Sequence, residues 1–178
     1  MTDRPNTEML ALLRQAGVER DAMGRRLSRY EFQALRDELR LPDVFGFNAD
    51  LGEALGQVRW PAKANISRLP ALPVPLGRIA WAKRAEDLPV VGILVEELPD
   101  AALAEALLAL LTEHHRAPFA RLLFLCRTLR PVHVLARYGL LCEAVGHAPL
   151  PVVAASLALR YQVGEVRALT DGKRLWRT

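Results

Sequence analysis

The 178-residue chain contains little lysine, few aromatic residues and almost no cysteine. Only 3 of its 24 basic side chains are lysines, so the net charge of +4 reflects arginine usage as much as selection for phosphate contacts. Two cysteines, Cys126 and Cys142, are too few for a disulfide-stapled secreted domain, and their spacing is not a metal-binding CxxC. We therefore expect two reduced, mostly buried thiols.

The chain also lacks a long apolar run. The longest, residues 101–111, is interrupted by Glu105 and is too short to span a bilayer. The charged N-terminal segment does not read as a signal peptide, and no strong catalytic or cofactor motif occurs. Hydrophobic residues make up 51% of the chain, which suffices for one core and excludes disorder as the main state. We expect a soluble protein of a bacterial cytoplasm, with no membrane contact and no identifiable cofactor.

The N-terminal part of the sequence predicts helices. One covers residues 7–16 and is ended by Gly17, and a second begins at Ser28, which forms a capping box with Glu31. Proline and glycine then recur until an α/β pattern begins. The predicted division is a helical segment 1–41, a Pro/Gly-rich arm or linker 42–77, and an α/β core domain 78–178, although a single domain is equally compatible.

The core domain begins with two apolar runs joined by a polar turn. Residues 78–84 and 90–96 predict an antiparallel pair, and Asp100 opens a helix. A strand over 121–126, in which polar residues do not alternate with apolar ones, and a helix over 129–145 follow. Because a helix that joins two buried strands is a βαβ unit, the strands 90–96 and 121–126 should run parallel.

The C-terminal residues 151–163 fit a helix or a strand, whereas Asp171-Gly172 predicts a hairpin. The predicted fold class is α/β, a mixed sheet flanked by helices in a three-layer α/β/α-like arrangement. The element order resembles that of restriction-endonuclease-like domains, whose signature includes an acid-x-Lys on a strand. Here Trp81-Ala82-Lys83 stands at that place, so the resemblance implies a nuclease degenerate at its metal ligands that binds nucleic acid without cutting it.

A candidate site follows from the parallel strands. Their carboxyl ends meet at one sheet edge, which places Glu96, Glu97 and Asp100 beside the start of the second helix. No acid occurs from His114 to Cys142. An anion held at the helix start and an ion-pair network that neutralises the arginines both remain open. The predicted anion-binding residues are Arg127, Thr128, Arg130, His133 and Arg137.

Catalytic candidates are weak. The sequence from Cys126, "CRTLRP", resembles over six residues the cysteine loop of rhodanese-like sulfurtransferases, but it lacks the loop glycines and differs in arginine spacing. A buried core cysteine is therefore favoured. His114 and His115 are adjacent and point in different directions on a helix, so no metal site is predicted. Glu96, Glu97 and Cys126 remain the catalytic candidates.

Three functions follow as hypotheses. The first is a module without clear catalytic residues that binds an anionic partner, nucleic acid among the candidates, through the predicted anion-binding residues. The second is a metal-dependent hydrolase or nuclease-like enzyme that uses Glu96 or Glu97 at the sheet edge. The third is a structural protein that forms homo-oligomers through residues 60–76.

Overall fold

A computed structural model describes residues 4–46 and 70–178. A 3₁₀ turn, Ala85–Asp87, precedes the first strand. The helices and strands, in chain order, are α1 Arg4–Glu38, β1 Val90–Val95, α2 Asp100–Arg116, β2 Arg121–Cys126, α3 Val132–Arg137, β3 Leu141–Ala144, α4 Leu150–Tyr161, β4 Val163–Ala168 and β5 Arg174–Arg177.

The five strands form one mixed sheet in the order β3-β2-β1-β4-β5. β1 pairs in parallel with both β2 and β4, and β3 pairs in parallel with β2. Only β5 is antiparallel to its neighbour, β4. The predicted mixed α/β sheet is therefore confirmed, and so is the parallel pairing of β1 with β2 across α2.

Side chains of β1 alternate between two hydrophobic clusters, one on each face of the sheet. Ile93 faces α2, α3 and the C-terminal end of α1, whereas Leu94 faces α4. All six residues of β1 are buried, as expected for a central strand with helices on both faces. The sheet is thus the middle layer of three.

The N-terminal helices predicted separately are one continuous helix. Gly17 lies inside α1, where glycine costs about 1 kcal/mol relative to alanine but does not end the helix. Ser28 is not an N-cap: its hydroxyl donates to the Arg25 carbonyl one turn earlier, at 3.0 Å. The capping-box prediction is wrong because Arg25, Arg26 and Leu27, which directly precede Ser28, are good helix formers and continue the helix through it.

The predicted strand over residues 78–84 is also wrong. β1 has β2 on one edge and β4 on the other, so no edge is left for a hairpin partner. The segment instead packs on the helices: Ile79 is fully buried, and the Arg78 amide donates to the Tyr138 carbonyl at 2.8 Å. Without that hairpin, the restriction-endonuclease-like order remains unconfirmed.

The helix predicted over 129–145 is much shorter. α3 ends at Arg137, where Gly139 adopts a φ of +71° and the Leu140 amide donates to the Leu135 carbonyl at 3.1 Å. This is a Schellman motif, which requires a left-handed residue after the helix. The chain then turns back into β3. Its residues are apolar enough to fit the end of a helix, and the sequence therefore predicted one helix over this whole stretch.

The two open questions of the C-terminal part are settled by the fold. Residues 151–163, for which the sequence favoured neither a helix nor a strand, belong mostly to α4. The helix ends at Tyr161, and Gln162 follows it in the left-handed region with a φ of 57°. The predicted hairpin at Asp171-Gly172 is confirmed, since β4 and β5 pair across it and Gly172 has a φ of +68°.

Two predictions about the arm and the N-terminal segment remain predictions. One is the division of the chain into a helical segment, an arm and a core domain, with boundaries at residues 41 and 77. Leu35 and Leu39 of the helical segment pack in the same hydrophobic cluster as β1, β2 and α2. Homo-oligomer formation through residues 60–76 is the other, and residues 60–69 lie outside the described residues. Val74 is buried against α4, and the Leu72 amide donates to the Arg160 carbonyl at 2.7 Å. Within the described ranges, no helix is both long and apolar enough to cross a membrane.

Candidate functional site

The sheet edge that the sequence predicts as a site joins Asp100 to Arg130. The Arg130 guanidinium forms an ion pair with the Asp100 carboxylate and donates to the Leu98 carbonyl at 3.1 Å. Because α3 begins only at Val132, Arg130 precedes the helix and is not part of a helical stripe with the later basic residues. Its charge is neutralised by the first residue of α2.

Arg127 is held by backbone oxygens. Its guanidinium donates to the carbonyls of Gly146 and Ala148, at 2.7 and 2.8 Å. These carbonyls follow β3, so the side chain ties the end of β2 to the loop before α4. Hydrogen bonds from a charged donor are about twice as strong as neutral ones, which gives Arg127 a structural role.

Arg137 reaches across to the N-terminal helix. It donates to Glu38 at 2.8 Å, and the Tyr138 hydroxyl donates to the other oxygen of the same carboxylate at 2.7 Å. Burial and the bond to Glu38 raise the pKa of Tyr138 above its usual range. The remaining predicted residues, Thr128 and His133, are partly buried.

Within the described residues, the acidic catalytic candidates at this edge form no ion pair with the arginines. Glu96 and Glu97 are exposed, and Glu97 lies 3.7 Å from the His147 ring. Among residues 4–46 and 70–178, no three His, Cys, Asp or Glu side chains are grouped so as to hold a metal ion. The two carboxylates that the enzyme hypothesis needs, Glu96 and Glu97, are therefore exposed and do not form a metal-binding group with other described residues.

Cys126 lies in the core with none of its surface exposed. A hydrogen bond with Cys142 and burial raise the pKa of Cys126 well above its usual range. A reactive thiolate needs the opposite shift. The thiol therefore packs as a small apolar side chain at the end of β2.

A different group of arginines surrounds a pocket between α1, α2 and the segment before β1. We call it the arginine pocket. Its volume is about 540 Å³. Its lining residues are Arg25, Ser28, Arg29, Trp81, Thr112, His115, Arg116 and Pro118.

Trp81 fixes one wall of the arginine pocket. Its ring packs against α1 at Gly24, where any side chain would collide with the indole. The Arg25 guanidinium lies over this ring, 4.6 Å from its centroid. A guanidinium stacked on an aromatic face is held by cation–π attraction and keeps its in-plane N–H groups available.

His115 forms part of the floor of the arginine pocket. It stacks on Phe32 with the ring centroids 4.3 Å apart, and its Nδ1 lies 2.5 Å from the Ile79 carbonyl. Because a carbonyl only accepts, Nδ1 carries the proton, and Nε2 is the remaining polar atom of the ring. The contacts with α1 and with residue 79 thus fix the orientation of the ring.

The electrostatics of the arginine pocket differ from those of the sheet edge. None of the described residues that line it is a carboxylate. In the described part of the chain, no ion pair involves Arg25, Arg29 or Arg116, and all three side chains are exposed. Arg116 lies in the last turn of α2, where the helix dipole favours a cation. The pocket therefore presents three guanidinium groups, and the part of the chain that the structure describes supplies no counter-charge to them.

The sequence contains a weak signal for the arginine pocket. Arg25 and Arg29 are four residues apart and so share one face of a helix, and Arg116 follows a histidine pair at a helix end. The sequence draws attention to Trp81 only because this residue stands where the nuclease signature has an acid. The segment before β1 brings these elements together, and the sequence predicted that segment as a strand.

The fold defines a three-layer α/β/α protein with a basic pocket outside the sheet. No known protein family matches the chain, and neither does any curated protein or solved structure.

Proposed function

We propose that the protein is a non-catalytic module that binds the phosphate groups of nucleic acid in the arginine pocket. The supporting observation is the group of three exposed guanidinium groups, Arg25, Arg29 and Arg116, around a pocket that no carboxylate of residues 4–46 or 70–178 lines. Guanidinium groups bind phosphate through paired, charge-assisted hydrogen bonds. The proposal keeps the anionic-partner hypothesis and moves it from residues 127–137, where the arginines have protein partners.

The arrangement favours a chain of phosphates over a single one. Arg25 and Arg29 are one helical turn apart, about 6 Å along α1, and Arg116 comes from a second helix. All three are exposed, so they can contact successive phosphates of a strand that lies across the opening. Most of the affinity of such contacts comes from released counterions and is independent of base sequence.

The test is a binding titration with a short fluorescein-labelled single-stranded oligonucleotide, followed by anisotropy. We expect the double variant Arg25→Ala/Arg29→Ala to lose at least about tenfold in affinity and to show a weaker salt dependence by one to two counterions. The matched control is Arg40→Ala/Arg177→Ala, which removes two exposed arginines outside the pocket and should change affinity less than about threefold.

The outcomes separate the pocket from the charge of the whole chain. Equal losses in the two double variants would mean that binding follows net charge and would overturn the proposal. Competition by inorganic pyrophosphate distinguishes the ligands: displacement only at concentrations far above that of the oligonucleotide supports a nucleic-acid strand. Displacement at similar concentrations would assign the pocket to a small phosphate compound instead.

A further inference from the structure

Most of α1 extends beyond the core with its apolar side chains exposed. The helix has 35 residues, which corresponds to a length of about 52 Å. Its buried side chains, Ser28 and Leu35, lie in its last third. Large apolar side chains that cover so much exposed helix surface mark an interaction site. The exposed apolar residues are Met9, Leu10, Leu12, Leu13, Val18, Met23, Leu27 and Tyr30, each with at least 49% of its surface accessible.

Many of these residues follow a heptad repeat. The spacing alternates between four and three residues from Met9 to Ala34, which is the spacing of a coiled-coil seam. We call this surface the heptad stripe. It is separate from the face of α1 that packs on the core, because Leu27 and the buried Ser28 are adjacent and point about 100° apart. The heptad stripe consists of Met9, Leu13, Ala16, Arg20, Met23, Leu27, Tyr30 and Ala34.

A second copy of α1 complements this stripe when it runs in the opposite direction. A parallel, in-register pair would place Arg20 opposite Arg20, with two like charges in the seam. An antiparallel pair avoids this, since the aliphatic part of Arg20 packs beside a methionine and its charged end reaches solvent. It also places the small Ala16 opposite Leu27, whereas a parallel pair would place it opposite a second alanine. The facing residues are Leu13 with Tyr30, Ala16 with Leu27, and Arg20 with Met23.

The charges beside the stripe fit the same arrangement. Glu19 and Arg26 occupy equivalent flanking positions of successive heptads, and both are exposed. In the antiparallel pair, Glu19 of one chain lies beside Arg26 of the other, on both sides of the two-fold axis. Flanking pairs of opposite charge set partner choice and orientation in coiled coils.

We propose that a second copy of this chain covers the heptad stripe of α1, so that the two helices form an antiparallel two-stranded coiled coil. This interface differs from the residues 60–76 that the sequence predicts for oligomers, and it does not depend on the proposed function. Arg25 and Arg29 lie outside the stripe and stay accessible in the dimer.

The molar mass in solution tests the interface. We expect the native chain to sediment at twice the 19.8 kDa of one chain. Leu27→Glu should weaken the dimer by about tenfold or more in Kd, because it puts a charge into an apolar seam. The matched control is Val18→Glu, which places the same charge on α1 at a residue that is 66% exposed and outside the stripe.

Leu27 is 56% exposed in the single chain, so unfolding of the variant is not expected to cause the change in mass. A cooperative urea transition of the dissociated variant confirms that its core is folded. A native chain that stays monomeric at all concentrations overturns the proposal, and so does equal dissociation of Val18→Glu and Leu27→Glu.

Cysteine cross-linking tests the direction of the helices. Leu13→Cys and Tyr30→Cys should form a disulfide-linked dimer only when the two variants are mixed, with the native chain as the background for its own two cysteines. A Leu13→Cys variant that cross-links to itself indicates parallel helices and overturns the antiparallel pairing.

Exchange of the flanking charges gives an independent readout. Glu19→Arg should weaken the dimer, and adding Arg26→Glu to it should restore most of the affinity, since the pair is then reversed rather than lost. A double variant no tighter than Glu19→Arg contradicts the predicted register.

Discussion

The two groups of arginines differ in what surrounds them. Between residues 127 and 137, each arginine contacts a carbonyl or a carboxylate of the protein. Around the arginine pocket, no described carboxylate forms an ion pair with Arg25, Arg29 or Arg116. The first group is the denser one in the sequence and has no acid nearby. The number of basic residues in a stretch of sequence therefore does not show how much charge is available to a partner. The acid that neutralises Arg137, Glu38, is 99 residues away along the chain and comes close only in the folded protein.

The contact between one carboxylate and a consecutive arginine and tyrosine occurs twice in the fold. Glu38 accepts hydrogen bonds from both Arg137 and Tyr138. In the same way, Glu143 of β3 pairs with Arg160 at 3.2 Å and accepts from the Tyr161 hydroxyl. In each case one carboxylate joins a consecutive arginine and tyrosine to a different element, so these arginines connect parts of the fold.

The largest effect is expected at Arg127. Arg127→Met should lower the free energy of unfolding by about 2 to 3 kcal/mol, because it removes charge-assisted hydrogen bonds to two carbonyls. Arg29→Met in the arginine pocket should change it by less than about 0.5 kcal/mol, since that side chain is exposed and forms no ion pair with any other described residue. Urea unfolding measures both. Similar values for the two variants would remove the distinction between structural and available arginines.

The second effect concerns alkaline pH. Burial and the bond to Glu143 raise the pKa of Tyr161 to about 12. Because the folded pKa is above the unfolded value of about 10, the stabilisation is complete below pH 10. It is lost as the pH rises towards 12. The loss should be on the order of 2 kcal/mol in the native chain and clearly smaller in Tyr161→Phe, measured by urea unfolding between pH 9 and 12. Identical pH profiles would argue against the Glu143 pairing.

The smallest effect separates two neighbouring histidines. His114 is fully buried beside Phe119, whereas His115 lines the arginine pocket. Burial lowers the pKa of His114, and the charge of His115 adds to this, while the backbone of Leu76 opposes it. Because the folded pKa is depressed, stability is present above the unfolded value of about 6.5 and falls as the pH decreases through the folded value.

The measurement is urea unfolding between pH 7 and 4. His114→Phe should flatten the acid side of the profile relative to the native chain. An equally steep acid side in His114→Phe would mean that a group other than the buried histidine controls stability at low pH.

The sequence predicts the sheet better than its surroundings. The apolar runs of β1 and β2 and the helix opened by Asp100 are recognisable because a buried parallel strand reads as a continuous apolar run and an amphipathic helix has a period of 3.6 residues. The short α3 and the strand β3 were merged into one helix, since six helical and four extended residues are too few to establish a period. Gly139 was the local signal for the break, and it needs the Schellman geometry to be recognised.

The two candidate sites also differ in how well the sequence predicts them. Sequence reasoning placed Glu96, Glu97 and the arginines of residues 127–137 at one sheet edge, and the parallel pairing of β1 and β2 accounts for that placement. It did not find the arginine pocket, because the pocket depends on how residues 78–84 dock. That docking follows from β1 having β2 and β4 on its two edges, a long-range fact.

By itself, the sequence determined the α/β class, the central apolar strands and the C-terminal hairpin, because periodicity, helix starts and glycine turns act over a few residues. Only the tertiary structure decided which arginines are neutralised. A charge is cancelled by whatever packs within a few ångströms of it. Here the neutralising group is a carboxylate from α1 for Arg137, the first residue of α2 for Arg130, and backbone carbonyls after β3 for Arg127.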